Sequence, residues 1–272
     1  MADKHLQIKN IEFKKMQSNG NDFVLFDNTE KNILEKYFSI EQIKKIANRK
    51  YGIGCDQVLI LNKNNNKYSY KIYNHDGSQA MQCLNGLKCI SKYIATEYND
   101  KYATISNGIN TIATKVLENK VELIIPKEIC GNIPQTKEYN IYGISQKVDY
   151  ISTDNFHAIN CTQYGEANKI EAMIKAIRTE NFFKEGENIS FHSPLKNNKV
   201  KIKTLERGSG ETLACCSAAV AVAISLRNQG GAKDTIQIIH EGGEDHVKFF
   251  EDGSIAVSGP ATEVFTGHIR IG

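Results

Sequence analysis

Apolar and polar positions change period repeatedly along the chain, and strand-like and helix-like stretches alternate without a low-complexity break. Val58-Leu59-Ile60-Leu61 is a short apolar run, and Tyr68 to Tyr73 alternates; both predict strands, with a turn over Asn62 to Lys67 between them. Thr114 to Leu117 and Val121 to Ile125, separated by Glu118-Asn119-Lys120, predict a hairpin that stops before Pro126. Between these strand pairs, Leu87, Ile90, Ser91 and Ile94 recur at helical spacing just after Cys83. The second half repeats the order. Lys199 to Lys203 alternates after Asn197-Asn198, and Ala218 to Leu226 is an apolar helix directly after Cys215-Cys216. Val247 to Phe250, Glu251-Asp252-Gly253 and Ser254 to Val257 then predict a second hairpin leading to Pro260.

The spacings agree as well as the order. Cys83 lies 43 positions before Pro126, and Cys215 lies 45 before Pro260. Asp56 and Asn188, which open the two strand blocks, each precede their cysteine by 27 positions. Asn21 precedes Cys83 by 62, and Asn155 precedes Cys215 by 60. Landmarks in register imply two copies of one structural unit. Two such domains related by a pseudo-dyad would face one another across a cleft, with matched residues on opposite walls. The matched residues here are cysteines at helix starts.

A length of 272 residues fits about two domains, and 40% apolar with 24% charged residues is an ordinary globular composition. A net charge of +3, with lysines scattered in pairs such as Lys14-Lys15 and Lys44-Lys45, argues against a nucleic-acid partner. No apolar run approaches the ~20 residues of a membrane span. The opening Met1 to Asn10 has no apolar core of a secretion signal, so no membrane partner and a cytoplasmic location are expected. Seven cysteines, at 55, 83, 89, 130, 161, 215 and 216, form no C-x-x-C pair, and the seven histidines do not sit at zinc spacings from them. Neither a disulfide framework nor a metal site is expected. Most of these thiols read as small buried hydrophobes, and one or two as reactive.

Inverting a carbon centre needs a base on one face and an acid on the other. A thiolate facing a thiol serves both directions of such a reaction. The first turn of a helix carries unpaired N–H groups and the positive end of the helix dipole, which lower a thiol's pKa and can hold a carboxylate. Each cysteine also follows a glycine-containing approach, Asn74-His75-Asp76-Gly77-Ser78 and Glu206-Arg207-Gly208-Ser209-Gly210.

At these residues the sequence resembles the diaminopimelate epimerase family, and the resemblance runs through essentially the whole chain. It is carried by Lys15-Met-Gln-Ser-Asn-Gly-Asn-Asp-Phe23, Gly52-Ile-Gly-Cys-Asp-Gln57, Tyr73-Asn-His-Asp-Gly-Ser78, Gln82-Cys-Leu-Asn-Gly86, Glu206-Arg-Gly-Ser-Gly-Glu-Thr-Leu-Ala-Cys215 and Ser258-Gly-Pro-Ala261. The resemblance implies an α+β fold of two pseudo-symmetric domains, each a curved mixed β-sheet wrapped around a central helix. It places the first over 1–127 with 263–272 and the second over 128–262. It implies cofactor-independent interconversion of LL- and meso-diaminopimelate, for lysine and peptidoglycan synthesis, in a homodimer. Cys83 and Cys215 match the acid–base pair, and His157 and Glu206 match residues that assist the thiols. Asn21, Gln57, Asn74, Asn155, Asn188 and Arg207 match substrate-holding positions, with the planar fork of Arg207 suited to a second carboxylate. The amides of Leu84-Asn85 and Cys216-Ser217 match the carboxylate-binding helix starts.

The chain departs from the family pattern in four places. Leu84 replaces a glycine, Cys216-Ser217-Ala218 replaces a small Gly-Thr-Gly run, Phe156 replaces a proline, and Gln17 replaces a histidine. Backbone amides survive all four changes, while the larger side chains narrow the space. The rival readings are an epimerase or racemase of another amino acid and a relative that binds an amino acid without turning it over.

Overall fold

The apolar runs and alternating stretches sort into two sets of paired strands in the structure, a computed structural model that describes residues 9–30, 37–130, 133–153, 155–161, 167–231 and 234–271. The opening stretch up to residue 8, read above for a secretion signal, lies outside them. One unit takes Met1–Ser18, Asp22–Val121 and Ala261–Gly272; the other takes Asn19–Asn21 and Glu122–Pro260.

In the first unit β1 (Lys9–Ser18) turns through Asn19-Gly20 into β2 (Asn21–Asp27). Both turn residues have positive φ, 50° and 84°, the backbone that a two-residue hairpin turn demands and that Asn-Gly accommodates. After α1 (Ile40–Ala47), capped by Ser39, comes β3 (Gln57–Asn64), which runs parallel to β2. Val58 to Leu61 are fully buried, which explains their unbroken apolar run: a strand covered on both faces has no polar side to alternate with. β4 (Lys67–Asn74) returns antiparallel to β3. Their turn is only Asn65-Asn66, both at positive φ, shorter than the six residues read from sequence. β5 (Gln79–Ala80) leads to α2 (Leu84–Glu97). β6 (Tyr102–Ser106) then pairs parallel to β4 and antiparallel to β7 (Thr111–Val116), and the chain passes into the second unit through β8 (Val121–Ile125).

The second unit repeats this plan. After the short α3 (Lys127–Cys130), β9 (Gln135–Ile141) and β10 (Ile144–Ser152) pair antiparallel, and β10 pairs with β11 (Phe156–Asn160). Helix α4 (Ala167–Glu180) crosses to β12 (Asn188–His192), parallel to β11. β13 (Lys199–Glu206), β14 (Gly210–Thr212) and α5 (Cys216–Asn228) follow, then β15 (Thr235–His240), parallel to β13. β16 (Gly243–Phe249) and β17 (Ile255–Gly259) complete the set, and β17 pairs with β8. β18 (Thr262–Ile271) belongs to the first unit and pairs there antiparallel with β1, as β9 does with β10 in the second. The α+β organisation, with a mixed sheet around a central helix in each unit, is the one expected.

Helix α2 packs against β1, β3, β6, β7 and β18, and α5 against β10, β11, β12, β15, β16 and β17. Gly86 lets α2 sit close: a Cβ there would lie 3.1 Å from Leu59 Cδ2 and 3.3 Å from Phe23 Cε1. α5 is apolar on every side because strands surround it, and Ala218 to Ala223 are all fully buried. A strand carboxylate ties down the far end of each helix. Asp27 accepts Tyr93 Oη–H at 2.8 Å and also the Tyr98 hydroxyl. Asp149, 3% exposed, accepts from Thr136 Oγ1 at 2.6 Å, Ser225 Oγ at 2.5 Å and Gln229 Nε2 at 3.1 Å. Asp149→Ala would strand three donors beneath the sheet. We expect a loss of about 3 kcal/mol in urea unfolding; a loss below about 0.5 kcal/mol would show that the network does not hold α5.

Candidate active site

Cys83 and Cys215 are the N-cap residues of α2 and α5, both with extended backbone, at φ −146°, ψ 110° and φ −127°, ψ 105°. Their carbonyls accept the first helical bonds, from Leu87 N–H at 2.9 Å and Ala219 N–H at 3.0 Å. Leu84-Asn85 and Cys216-Ser217 therefore form the first turns, where helix geometry leaves amides without intrahelical partners and the dipole is positive. All four of these side chains are buried, and Asn85 Oδ1 accepts Ser18 Oγ–H at 3.3 Å.

The two thiols differ in surroundings. Cys83 is half-buried and its Sγ accepts Gly86 N–H at 3.5 Å. Cys215 is buried, with Sγ 3.4 Å from Ser217 Oγ. Burial pushes the Cys215 thiol well above its usual pKa, and the negative charge of Glu206 adds to this; the Ser217 hydroxyl and Ala218 N–H act the other way. The expectation that a helix start lowers both thiols is thus overturned at Cys215, where desolvation outweighs the amides. A thiol kept protonated in this way starts as the proton carrier of a pair, not as its base. Glu206 reaches it because the turn through Gly208 and Gly210, at φ 81° and 76°, folds β14 back on β13. Thr212, which sequence reading missed, donates to Glu206 Oε1 at 2.6 Å and steadies that carboxylate. Where β13 and β15 diverge after Lys201↔Ile239, Cys215 also borders a cavity of about 470 Å³ lined by Ile202, Thr204, Leu213 and His240.

In the first unit Gln57 and Asn74 are cross-strand partners, and Gln57 Nε2 donates to Asn74 Oδ1 at 2.9 Å. Gln57 Oε1 is buried with no hydrogen-bond partner among the described residues. The Asn74 Nδ2 donates onward to Ser78 Oγ at 3.0 Å, shaping the loop that leads to Cys83. In the second unit His157 lies opposite Asn188 in the parallel β11–β12 pair, the place that Phe23 and Gln57 hold in β2–β3. Asn188 Oδ1 accepts Arg207 N–H at 2.8 Å. Arg207 Nη1 donates to Glu185 O at 2.6 Å, which leaves the rest of an exposed guanidinium fork turned to solvent. Asn21 opens β2 and Asn155 precedes β11, so each stands two positions before the matched residue of its strand. The structure thus joins Glu206, Cys215 and Ser217, joins His157, Asn188 and Arg207, and joins Gln57 and Asn74.

His157 is fully buried and neither ring nitrogen has a hydrogen-bond partner among the described residues. Burial alone depresses its pKa to about 3. Its folded pKa lies below the unfolded value, so the unfolded chain binds the extra proton between about pH 3 and pH 6.5. Stability is full above that window and falls as the pH drops through it, by up to about 1.4 kcal/mol per pH unit. His157→Asn should flatten urea-unfolding stability between pH 6.5 and 4 relative to the parent. Parallel pH profiles for the two proteins would refute the assignment.

Comparison with known proteins finds relatives along nearly the whole chain. A family model described as diaminopimelate epimerase matches residues 13–124 and 149–264. The chain is 30% identical over 280 residues to the diaminopimelate epimerase of Alkalilimnicola ehrlichii, covering 96% of this chain and 99% of that one. It is 31% identical over 279 residues to the enzyme of the same name from Vesicomyosocius okutanii, with the same coverage. Among solved structures, a phenazine biosynthesis protein of the PhzF family from Bacillus anthracis superposes with a TM-score of 0.68 at 11% identity, over 96% of this chain and 99% of that one. A hydroxyproline epimerase from Agrobacterium vitis, with bound trans-4-hydroxy-L-proline, superposes with a TM-score of 0.66 at 11% identity, over 99% and 94%. At such identity these last two share the fold.

Proposed function

The chain belongs to the diaminopimelate epimerase family of isomerases, and from that premise we propose that it interconverts LL- and meso-diaminopimelate with Cys83 and Cys215 as its acid–base pair. The observation that carries this reading is the matched pair of N-cap cysteines on two equivalent helices. The Cys83 thiolate, accepting Gly86 N–H, removes the α-proton from one face of the substrate carbon. The Cys215 thiol, charged with a proton against Glu206, delivers its own to the other face. One C–H bond breaks and one forms, and the thiolate passes from Cys83 to Cys215. The reverse reaction exchanges their roles.

Removing that proton leaves a carbanion beside a carboxylate, and its charge must be held. The helix-start amides of Leu84-Asn85 and Cys216-Ser217 supply donors that need not reorganise as charge develops. No electron-sink cofactor is required in this scheme. The distal amino-acid end is held by Arg207 with Asn188 and Asn74, while the orphan acceptor Gln57 Oε1 awaits an N–H donor such as the substrate ammonium. Such a reaction places the protein in lysine and peptidoglycan precursor synthesis.

The test is proton NMR of LL-diaminopimelate with reduced protein in D2O. Loss of the α-proton signal together with the meso isomer is expected. A folded, reduced protein that exchanges no α-proton would remove the diaminopimelate assignment, and the same assay over other amino acids would then decide between a different epimerase and a binding protein.

A further inference from the structure

Two carboxylates and two cations gather where β2 and β3 begin. Asp22 N–H donates to Asp56 Oδ2 at 3.1 Å, and Asp56 N–H returns to Asp22 O and Oδ1, both at 3.0 Å. Arg49 lies across both: Nη1 reaches Asp22 Oδ2 at 3.0 Å, and Nη2 reaches Asp22 Oδ1 at 2.6 Å and Asp56 Oδ1 at 2.8 Å. Lys15, with 10% of its side chain exposed, completes the cluster by bonding Asp22 Oδ2 and Gly54 O. Burial opposes the charge on Asp22, but hydrogen bonds from Arg49 and Lys15 prevail and hold its pKa at about 2.

Withdrawing Lys15 and Asp22 from water costs desolvation, so such a cluster is better explained by the geometry it specifies than by stability. The geometry at stake is register. Antiparallel strands take their register from a turn, but β2 and β3 are parallel and joined through α1, with no turn to set it. The first pair after the cluster is Phe23↔Gln57. A slip of one residue would exchange Gln57 with the fully buried Val58 and turn the amide away from Asn74. The equivalent start in the second unit is built differently, with Phe156 stacked on Phe183 at 4.3 Å between ring centroids. The buried Glu187 there stands where Asp56 does, but no partner aspartate faces it, so the fold does not require the Asp22–Asp56 pair with its Arg49 clamp.

We propose that Arg49, Asp22 and Asp56 are positioning residues that fix the β2–β3 register and so aim Gln57 at the substrate. The inference rests on the reading of Gln57 as a substrate-holding residue in the proposed reaction. Arg49 carries the test because its side chain is 59% exposed and its loss leaves Asp22 paired with Lys15.

The experiment compares the parent with Arg49→Met, Arg49→Lys, Gln57→Ala and the Arg49→Met/Gln57→Ala double variant. Arg49→Met should raise KM for diaminopimelate about tenfold with kcat within about twofold, and Arg49→Lys should recover part of that loss. The double variant should be no worse than Gln57→Ala alone, since residues acting through one another are not additive. The Gln57 side-chain amide resonance should also shift in Arg49→Met, a readout that needs no turnover. Additive effects, an unchanged KM with only a lower Tm, or an unmoved Gln57 amide would each overturn the proposal. A parent protein without diaminopimelate turnover would instead defeat the functional reading, and the amide resonance would still decide the clamp.

Discussion

Cys83→Ala and Cys215→Ala are each expected to lower kcat/KM for diaminopimelate epimerisation by about 10³-fold or more, since each removes one of the two proton-transfer groups. The two losses should differ in kind. With Cys215 gone, Cys83 can still lift a proton from its face and return deuterium to the same face. The LL isomer would then lose its α-proton signal in D2O while no meso product forms. With Cys83 gone, the same behaviour should pass to the meso isomer. Combining both substitutions should cost little beyond either alone, because half of an inversion is no inversion. Cys55→Ala, which alters a buried thiol pushed up to about 12 by desolvation, should leave the rate nearly unchanged. Either cysteine variant retaining meso formation within about tenfold of the parent would end the two-thiol reading.

Arg207→Gln is expected to lower kcat/KM by about 10²-fold, the cost of removing one partner from a charge-assisted pair. Its backbone N–H is pinned by Asn188 and one guanidinium nitrogen by the Glu185 carbonyl, so the fork is held in place before any ligand arrives. Preorganisation of this kind makes lysine a poor substitute, because an ammonium offers no second parallel donor. The diagnostic result is a ratio. The parent should favour diaminopimelate over amino acids lacking a distal carboxylate, and Arg207→Gln should compress that preference by about the same 10²-fold. An unchanged preference would move distal recognition to other residues.

Much of this arrangement was legible in the sequence, for reasons that differ from element to element. Central helices announce themselves by apolar residues on every side, as in Ala218 to Leu226, and by the cysteine that precedes each. Turns were legible where Asn-Asn stands between alternating stretches, although the strands reach further into them than alternation showed. The crossed parallel pairs were not legible, since strands joined through a helix leave no turn signal between them. For that reason the Asp22–Asp56 cluster stayed hidden even though both residues stand inside quoted motifs. The contact between Glu206 and Cys215 was expected only through the family resemblance, because nine positions of chain separate them and only the β13–β14 hairpin closes the gap. Burial of Cys215 depends on strands from both sides of α5 in the sequence, so a local reading of the helix start assigned its thiol the wrong shift.

The pairing of β1 with β18 has a consequence in time. Its register runs from Lys9↔Ile271 to Gln17↔Thr262, and every strand from β9 to β17 is made between the two partners. At ~5–20 residues per second, β1 waits roughly ten to fifty seconds on the ribosome with one edge bare. Ile11, Phe13 and Met16 belong to that strand, so the nascent chain carries an apolar edge open to wrong partners throughout the wait. The unit that begins first is the one finished last, and a chaperone that shelters an early edge would serve this protein more than one that acts on the completed chain.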